Sequence, residues 1–119
     1  LNSDLAKQFK TAKQIYREKT FCTKIRAKDI FKEADFSKEK EENYILVQGI
    51  IDLFFEDSMG NWILVDYKTD YIKAGEEYKL IDRYRRQLEI YKKALEDEID
   101  TKVLHTYIYS LALNKKIEL

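Results

Sequence analysis

YILVQGIIDLFFEDSMGNWILVDYK, residues 44–68, is the stretch on which the reading of this chain turns. Tyr44 to Glu56 is rich in Ile, Leu, Val and Phe, side chains that suit a pleated surface. Asp57-Ser58-Met59-Gly60-Asn61 breaks the run with turn-forming residues, and Trp62 to Lys68 resumes it. Two apolar strands around a short glycine-containing turn predict a β-hairpin. Both faces of both strands are largely apolar, so the hairpin is expected to be central in a sheet covered on both sides. A three-residue loop, Ser58 to Gly60, with Asp57 facing Asn61, puts Asp52 directly opposite Asp66, their β-carbons ~4.5–5.5 Å apart. Side chains alternate along a strand, so Lys68 points to the face of Asp66.

Two carboxylates and an ammonium thus converge in a hydrophobic hairpin. Like charges facing each other across a sheet are destabilising, and burying them costs more. One compensation is a divalent cation bound by hard oxygen ligands; Mg²⁺ takes one or two protein carboxylates and keeps several waters. The other is a structural ion cluster in which Lys68 alone neutralises the pair. A register slip of one residue would place the aspartates on opposite faces.

Before the hairpin, Leu5, Phe9, Ala12 and Tyr16 fall at helical spacing and predict a helix over Leu5–Arg17, with Ser3 or Asp4 as its N-cap. Phe21, Thr23 and Ile25 alternate with polar neighbours and predict a strand to Arg26. Residues 27–43 read as an exposed connection with one helical turn near Asp29–Glu33. After the hairpin, Asp70 to Gly75 is a loop. Tyr84, Leu88, Tyr91 and Leu95 mark an amphipathic helix over Glu76–Glu98. A strand over Val103–Leu111 and a weak last one near Lys116–Leu119 complete the order of helix, three strands, helix, strand.

The 119 residues correspond to one domain with enough surface to bury a single core. No run of ~20 apolar residues is present to span a membrane, and the first residues carry no signal-peptide pattern. The lone Cys22 excludes a disulfide framework and a zinc or iron–sulfur site made of this chain's own thiols, and suggests a reducing cytoplasm. No phosphate-loop string occurs. Net charge is zero but uneven: +5 over residues 1–40, −6 over 41–70, −1 over 71–100 and +2 over 101–119. An acidic middle between basic flanks is either a set of solvated faces or a negative hole rimmed by positive charge, the pattern of metal sites that cut nucleic acid.

Gly49-Ile50-Ile51-Asp52 followed by Asp66-Tyr67-Lys68-Thr69 resembles the PD-(D/E)XK nuclease signature, with Ile51 in place of its proline. Gln87-Leu88-Glu89-Ile90-Tyr91 is similar to the Q-x-x-x-Y element of the RecB-like branch. Over most of positions 17–111, including Arg17-Glu18-Lys19-Thr20-Phe21, the wording resembles the nuclease domains of bacterial AddAB-type ATP-dependent helicase–nucleases. The resemblance implies an α/β (α+β) fold with an αβββαβ restriction-endonuclease-like core, a mixed central sheet flanked by helices. It implies Mg²⁺-dependent (or Mn²⁺-dependent) cleavage of DNA. Asp52, Asp66 and the backbone carbonyl of Tyr67 become metal ligands, Lys68 the residue that orients water and stabilises phosphate charge, and Gln87 and Tyr91 the border of the site against the DNA backbone. Glu18 is a candidate auxiliary acid, and Arg83, Arg85, Arg86, Lys92 and Lys93 candidate phosphate contacts. The implied partners are helicase domains on the same native chain and a second, AddB-like polypeptide, in a bacterial cytoplasm. RecB-like nucleases usually add a histidine ligand from an upstream helix. The sole histidine, His105, follows the signature and does not take that role, which implies a C-terminal piece of a longer helicase–nuclease with an incomplete metal site of its own. A catalytically silent docking or DNA-holding module and a stand-alone structure-specific nuclease are the alternatives.

Overall fold

The computed structural model describes residues 3–30 and 43–119. In order, the elements are α1 (Ser3–Lys10), β1 (Gln14–Arg26), α2 (Ala27–Ile30), β2 (Tyr44–Glu56), β3 (Trp62–Lys68), α3 (Glu77–Ile99), β4 (Val103–Ser110) and β5 (Lys115–Glu118). They form one mixed five-stranded sheet in the order β1-β2-β3-β4-β5. Only β3 and β4 run parallel, and α3 is the crossover that a parallel pair requires.

The hairpin has the register expected from its loop: Leu53 pairs with Val65, Phe54 with Leu64, Phe55 with Ile63 and Glu56 with Trp62. Its turn is closed by the Asp57 amide donating to the Asn61 carbonyl at 2.8 Å, while Asp57 Oδ1 accepts from the amides of Met59 and Asn61, each at 2.9 Å. Gly60 sits at φ +85°, where a side chain would be strained, so a glycine ends this three-residue loop.

Alternation sorts the core into two layers. Leu53, Phe55, Ile63 and Val65 pack with Leu5 of α1 and with Tyr107 and Tyr109. Phe54 and Leu64 turn the other way, to Leu95 of α3, and Leu80 and Leu88 of the same helix cover Ile108 and Ile117. Coverage on both faces holds for β3 but for only half of β2. Beyond the point where β3 leaves it, β2 is paired with β1 alone, and Tyr44, Leu46 and Ile50 are exposed on that two-stranded extension.

The first helix is shorter than its periodicity suggests. It ends at Lys10, and Ile15, Tyr16 and Arg17 belong to β1, opposite Phe55, Phe54 and Leu53. Helices under ~12 residues are marginal alone, and here the β-branched and aromatic residues gain more from the sheet. Tyr16 stacks on Phe54 with ring centroids 4.9 Å apart. Ser3 and Asp4, expected as its N-cap, are the first two residues of α1. α2 includes Asp29 and Ile30 of the helical turn expected near Asp29–Glu33; the rest of that turn falls within residues 31–42, outside the described residues. Among the described residues no helix is long and apolar enough to cross a membrane.

Candidate functional site

The β2–β3 ladder stops at Leu53–Val65, one residue short of the two aspartates. Past that point the strands splay, and the Tyr67 amide, with no backbone partner on β2, donates instead to Asp52 Oδ2 at 2.9 Å. Asp52 therefore spans the opening that its own strand leaves. A backbone irregularity lies beside it. On β1, Glu18 takes a left-handed conformation (φ 52°) between the pairs Arg17–Leu53 and Lys19–Ile51, so it faces Asp52 without pairing. Across this point Ile51 packs with the α3-side cluster and Leu53 with the α1-side cluster. Two residues of a regular strand that are two apart share a face; these do not, so the pleat breaks at Asp52. Bulges and kinks of this kind re-aim a side chain beside functional sites.

Asp66 is 5% exposed, and Ser110 and Thr106 are the other buried polar residues among those described. Burial pushes the Asp66 carboxyl up to about 6; Lys68 opposes the shift and Asp52 adds to it. Lys68 Nζ lies 2.8 Å from Asp66 Oδ2, off the direction of a hydrogen bond, so this buried oxygen has an ion-pair neighbour and no hydrogen-bond donor. The same ammonium donates to Gln87 Oε1 at 3.1 Å and rests 3.9 Å from the ring centroid of Tyr84. Gln87 Nε2 in turn donates to the Tyr91 hydroxyl at 3.4 Å.

Tyr91 closes the site through a glycine. A β-carbon built on Gly49 would sit 2.8 Å from the Tyr91 hydroxyl and 3.0 Å from the Phe21 ring, and Phe21 meets Tyr91 edge-on at 5.1 Å. Gly49, three residues before Asp52, thus makes room for the tyrosine four residues after Gln87. Gly49→Ala is expected to cost about 1–3 kcal/mol of stability through overpacking. Chemical denaturation measures it, and an unchanged midpoint would mean that both rings yield freely.

The structure accordingly brings Asp52, Asp66, Lys68, Gln87 and Tyr91 together, with the backbone of Tyr67 between them. Glu18 faces Asp52 across β1–β2 but is exposed. His105 pairs with Glu118 between β4 and β5, away from this cluster. Of the basic residues proposed to contact phosphate on α3, Arg83 pairs with Asp70 and Lys93 with Asp97. Sequence reading assigned no site role to Tyr84 or Asp70. Their signal was present: Tyr84 precedes Gln87 by one helical turn on the same face, and Asp70 follows Lys68 by two.

Among the described residues no group of three or more His, Cys, Asp and Glu side chains gathers around one point. The donor set is two carboxylates with backbone oxygen nearby, all hard, one of them a buried oxygen lacking a hydrogen-bond donor. That set suits a cation that keeps most of its water, as Mg²⁺ does, and does not suit a structural zinc site.

Fold and site together define a mixed α+β domain with an acid–acid–lysine cluster at the mouth of its central hairpin. Over all 119 residues the chain is 39% identical to AddA, the first of the ATP-dependent helicase/nuclease subunits, from Clostridium perfringens (strain SM101 / Type A), and it spans 9% of that protein. It is 41% identical over 107 residues, 90% of its length, to the protein of the same name from Thermoanaerobacter sp. (strain X514), spanning 8% of it. To the Clostridium beijerinckii protein of that name it is 42% identical over 106 residues, 89% of its length and 8% of the relative's. No family model matches the chain. The chain is thus similar, along nearly its whole length, to one small segment of these much longer proteins.

Proposed function

We propose that this chain is a metal-dependent DNA nuclease module of the PD-(D/E)XK type, working in bacterial DNA break repair and recombination as part of an ATP-dependent helicase–nuclease. The observation that carries the reading is the convergence of Asp52, Asp66 and Lys68 where β2 and β3 part, with Asp66 buried and one of its oxygens lacking a donor. The names of the similar proteins support the helicase–nuclease setting. Helicase domains on the same native polypeptide, and a second, AddB-like polypeptide, are parts of the proposal.

In this reading Asp52, Asp66 and the Tyr67 carbonyl hold Mg²⁺. The amide and carbonyl of one strand residue face the same neighbour, so the Tyr67 carbonyl looks into the opening that Asp52 spans. Bound there, the cation supplies a Lewis acid and a lowered water pKa. The chain's own residues do the rest. Lys68 carries a positive charge to meet a non-bridging phosphate oxygen, with one of its three donors given to Gln87 and Asp66 beside it as an ion-pair neighbour. Gln87 holds that ammonium from the α3 side, and Tyr91 walls the site against Gly49. Ile51, next to Asp52, and Leu64, two residues before Asp66, are buried in one apolar cluster with Leu95 of α3.

Calorimetric titration of Mg²⁺ and Mn²⁺ into the chain tests the reading. Binding is expected in the parent and is expected to disappear in Asp52→Asn and Asp66→Asn. Binding that persists in both variants would favour the silent docking module, with Lys68 and Asp66 a structural ion pair.

A further inference from the structure

Lys68 is held on three sides, and one of them is an aromatic face. Its ammonium lies between Asp66 Oδ2 at 2.8 Å, Gln87 Oε1 at 3.1 Å and the centre of the Tyr84 ring at 3.9 Å. Tyr84 is itself fixed at its far end. Its hydroxyl donates to Asp70, 2.9 and 2.8 Å from the two carboxylate oxygens, and Arg83 pairs with the same carboxylate. The Tyr84 hydroxyl, with Arg83, holds the Asp70 carboxyl below the usual carboxylate range against the opposing effect of burial. Asp70 stays charged, and its grip fixes the ring. Because Asp70 lies two residues beyond Lys68, the end of β3 and the α3 helix are tied twice within one turn.

We propose that Tyr84, anchored by Asp70, is a positioning residue that fixes the Lys68 ammonium by its ring face. The proposal rests on the reading of Lys68 as the charge that meets phosphate. In that reading Asp66 has a second claim on its oxygens, so the place of the ammonium cannot depend on Asp66 alone. The remaining holders are uncharged: the Gln87 amide oxygen and the Tyr84 ring. A ring face attracts a cation through its quadrupole without neutralising it. It therefore steers Lys68 while leaving its charge and the donors not given to Gln87 for a substrate oxygen. Asp70 touches neither the ammonium nor the two site aspartates in this arrangement; it acts through the tyrosine.

The test has two arms. In the metal-free chain, NMR of the Lys68 ε-methylene protons is expected to show an upfield ring-current shift. That shift should vanish in Tyr84→Leu, shrink in Asp70→Asn and survive in Tyr84→Phe. In the full native polypeptide, Tyr84→Leu is expected to lower kcat for DNA cutting roughly 10- to 30-fold, the worth of a desolvated cation–π contact. KM and Mg²⁺ affinity should hold, and Tyr84→Phe should recover most of the loss. If Tyr84→Leu fails to fold, Asp70→Asn carries the same expectation in reduced degree. An unshifted Lys68 resonance in the parent overturns the proposal, as does an unchanged kcat in the Tyr84 and Asp70 variants where Lys68→Ala abolishes cutting. Cutting that survives Lys68→Ala overturns the nuclease reading of the site instead, and the NMR arm still decides whether Tyr84 holds Lys68.

Discussion

Asp66→Ala is expected to reduce DNA cutting by the full native polypeptide on the order of a thousandfold or more, with ATP-driven unwinding intact. The size follows from what the residue is asked to do. Asp66 is a buried anion at the splayed end of the hairpin, 2.8 Å from Lys68. Its loss removes a proposed metal ligand and the ion-pair partner of the residue that faces phosphate. Losing a single preorganised electrostatic contact at a reacting centre already costs a factor of about 100–1,000, and a metal adds a nucleophile generator and a Lewis acid to that. Lys68→Ala should approach the same loss while leaving Mg²⁺ binding in place, which separates the metal site from the phosphate contact. A gel assay on a labelled single strand, run beside an unwinding assay, reads both activities. Equal degradation before and after Asp66→Ala, with unwinding intact, would assign this domain a holding role and the cutting to another part of the assembly.

The second large effect concerns stability. Burial raises the Asp66 carboxyl from 3.8 to about 6, so the folded chain keeps a proton that the unfolded chain releases. A group whose folded pKa is raised makes the unfolded state bind fewer protons over that window, and stability then falls as pH rises. The metal-free chain should therefore lose stability between about pH 4 and pH 7, by roughly 3 kcal/mol at most, and level off above. The depressed carboxylates at Asp57, Asp70, Glu76 and Glu77 act in the opposite sense. Their contribution is present above the unfolded pKa near 4 and is lost below it, outside the Asp66 window. Asp66→Asn should flatten the slope. Urea melts in EDTA from pH 4.5 to 7.5 measure it. Restoring Mg²⁺ at pH 7.5 should recover about 2.7 kcal/mol at a hundredfold excess over its dissociation constant. A parent with no slope, or an Asp66→Asn variant with the same slope, would remove Asp66 as the source.

Much of this site was legible in residues 44–68. The apolar composition predicts the two strands, and Asp57 with Gly60 fixes the loop length, so the register of the hairpin as far as Leu53 opposite Val65 follows from local chemistry. The α3 stripe was equally plain, because Tyr84, Leu88, Tyr91 and Leu95 repeat at helical spacing. What failed was the first helix. Ile15 and Tyr16 continue its period, but their partners are Phe55 and Phe54, some 40 residues away, and no local pattern reveals that pairing. The coverage of β2 failed for a related reason. An apolar strand looks the same in sequence whether a third strand follows it to its end or departs halfway.

Turn chemistry and side-chain periods, which act within a few residues, were enough to set the hairpin, its register as far as Leu53 opposite Val65, the shared face of Asp66 and Lys68, and the helix that carries Gln87 and Tyr91. Three-dimensional packing was needed for the rest. It parts β2 and β3 just before the aspartates, leaving Asp52 to cap the Tyr67 amide, and it sets Gly49 under Tyr91, Glu18 opposite Asp52, and Tyr84 between Asp70 and Lys68. Each of these joins residues on different elements. Such contacts are fixed by how strands twist and where a helix lands, which no run of sequence states.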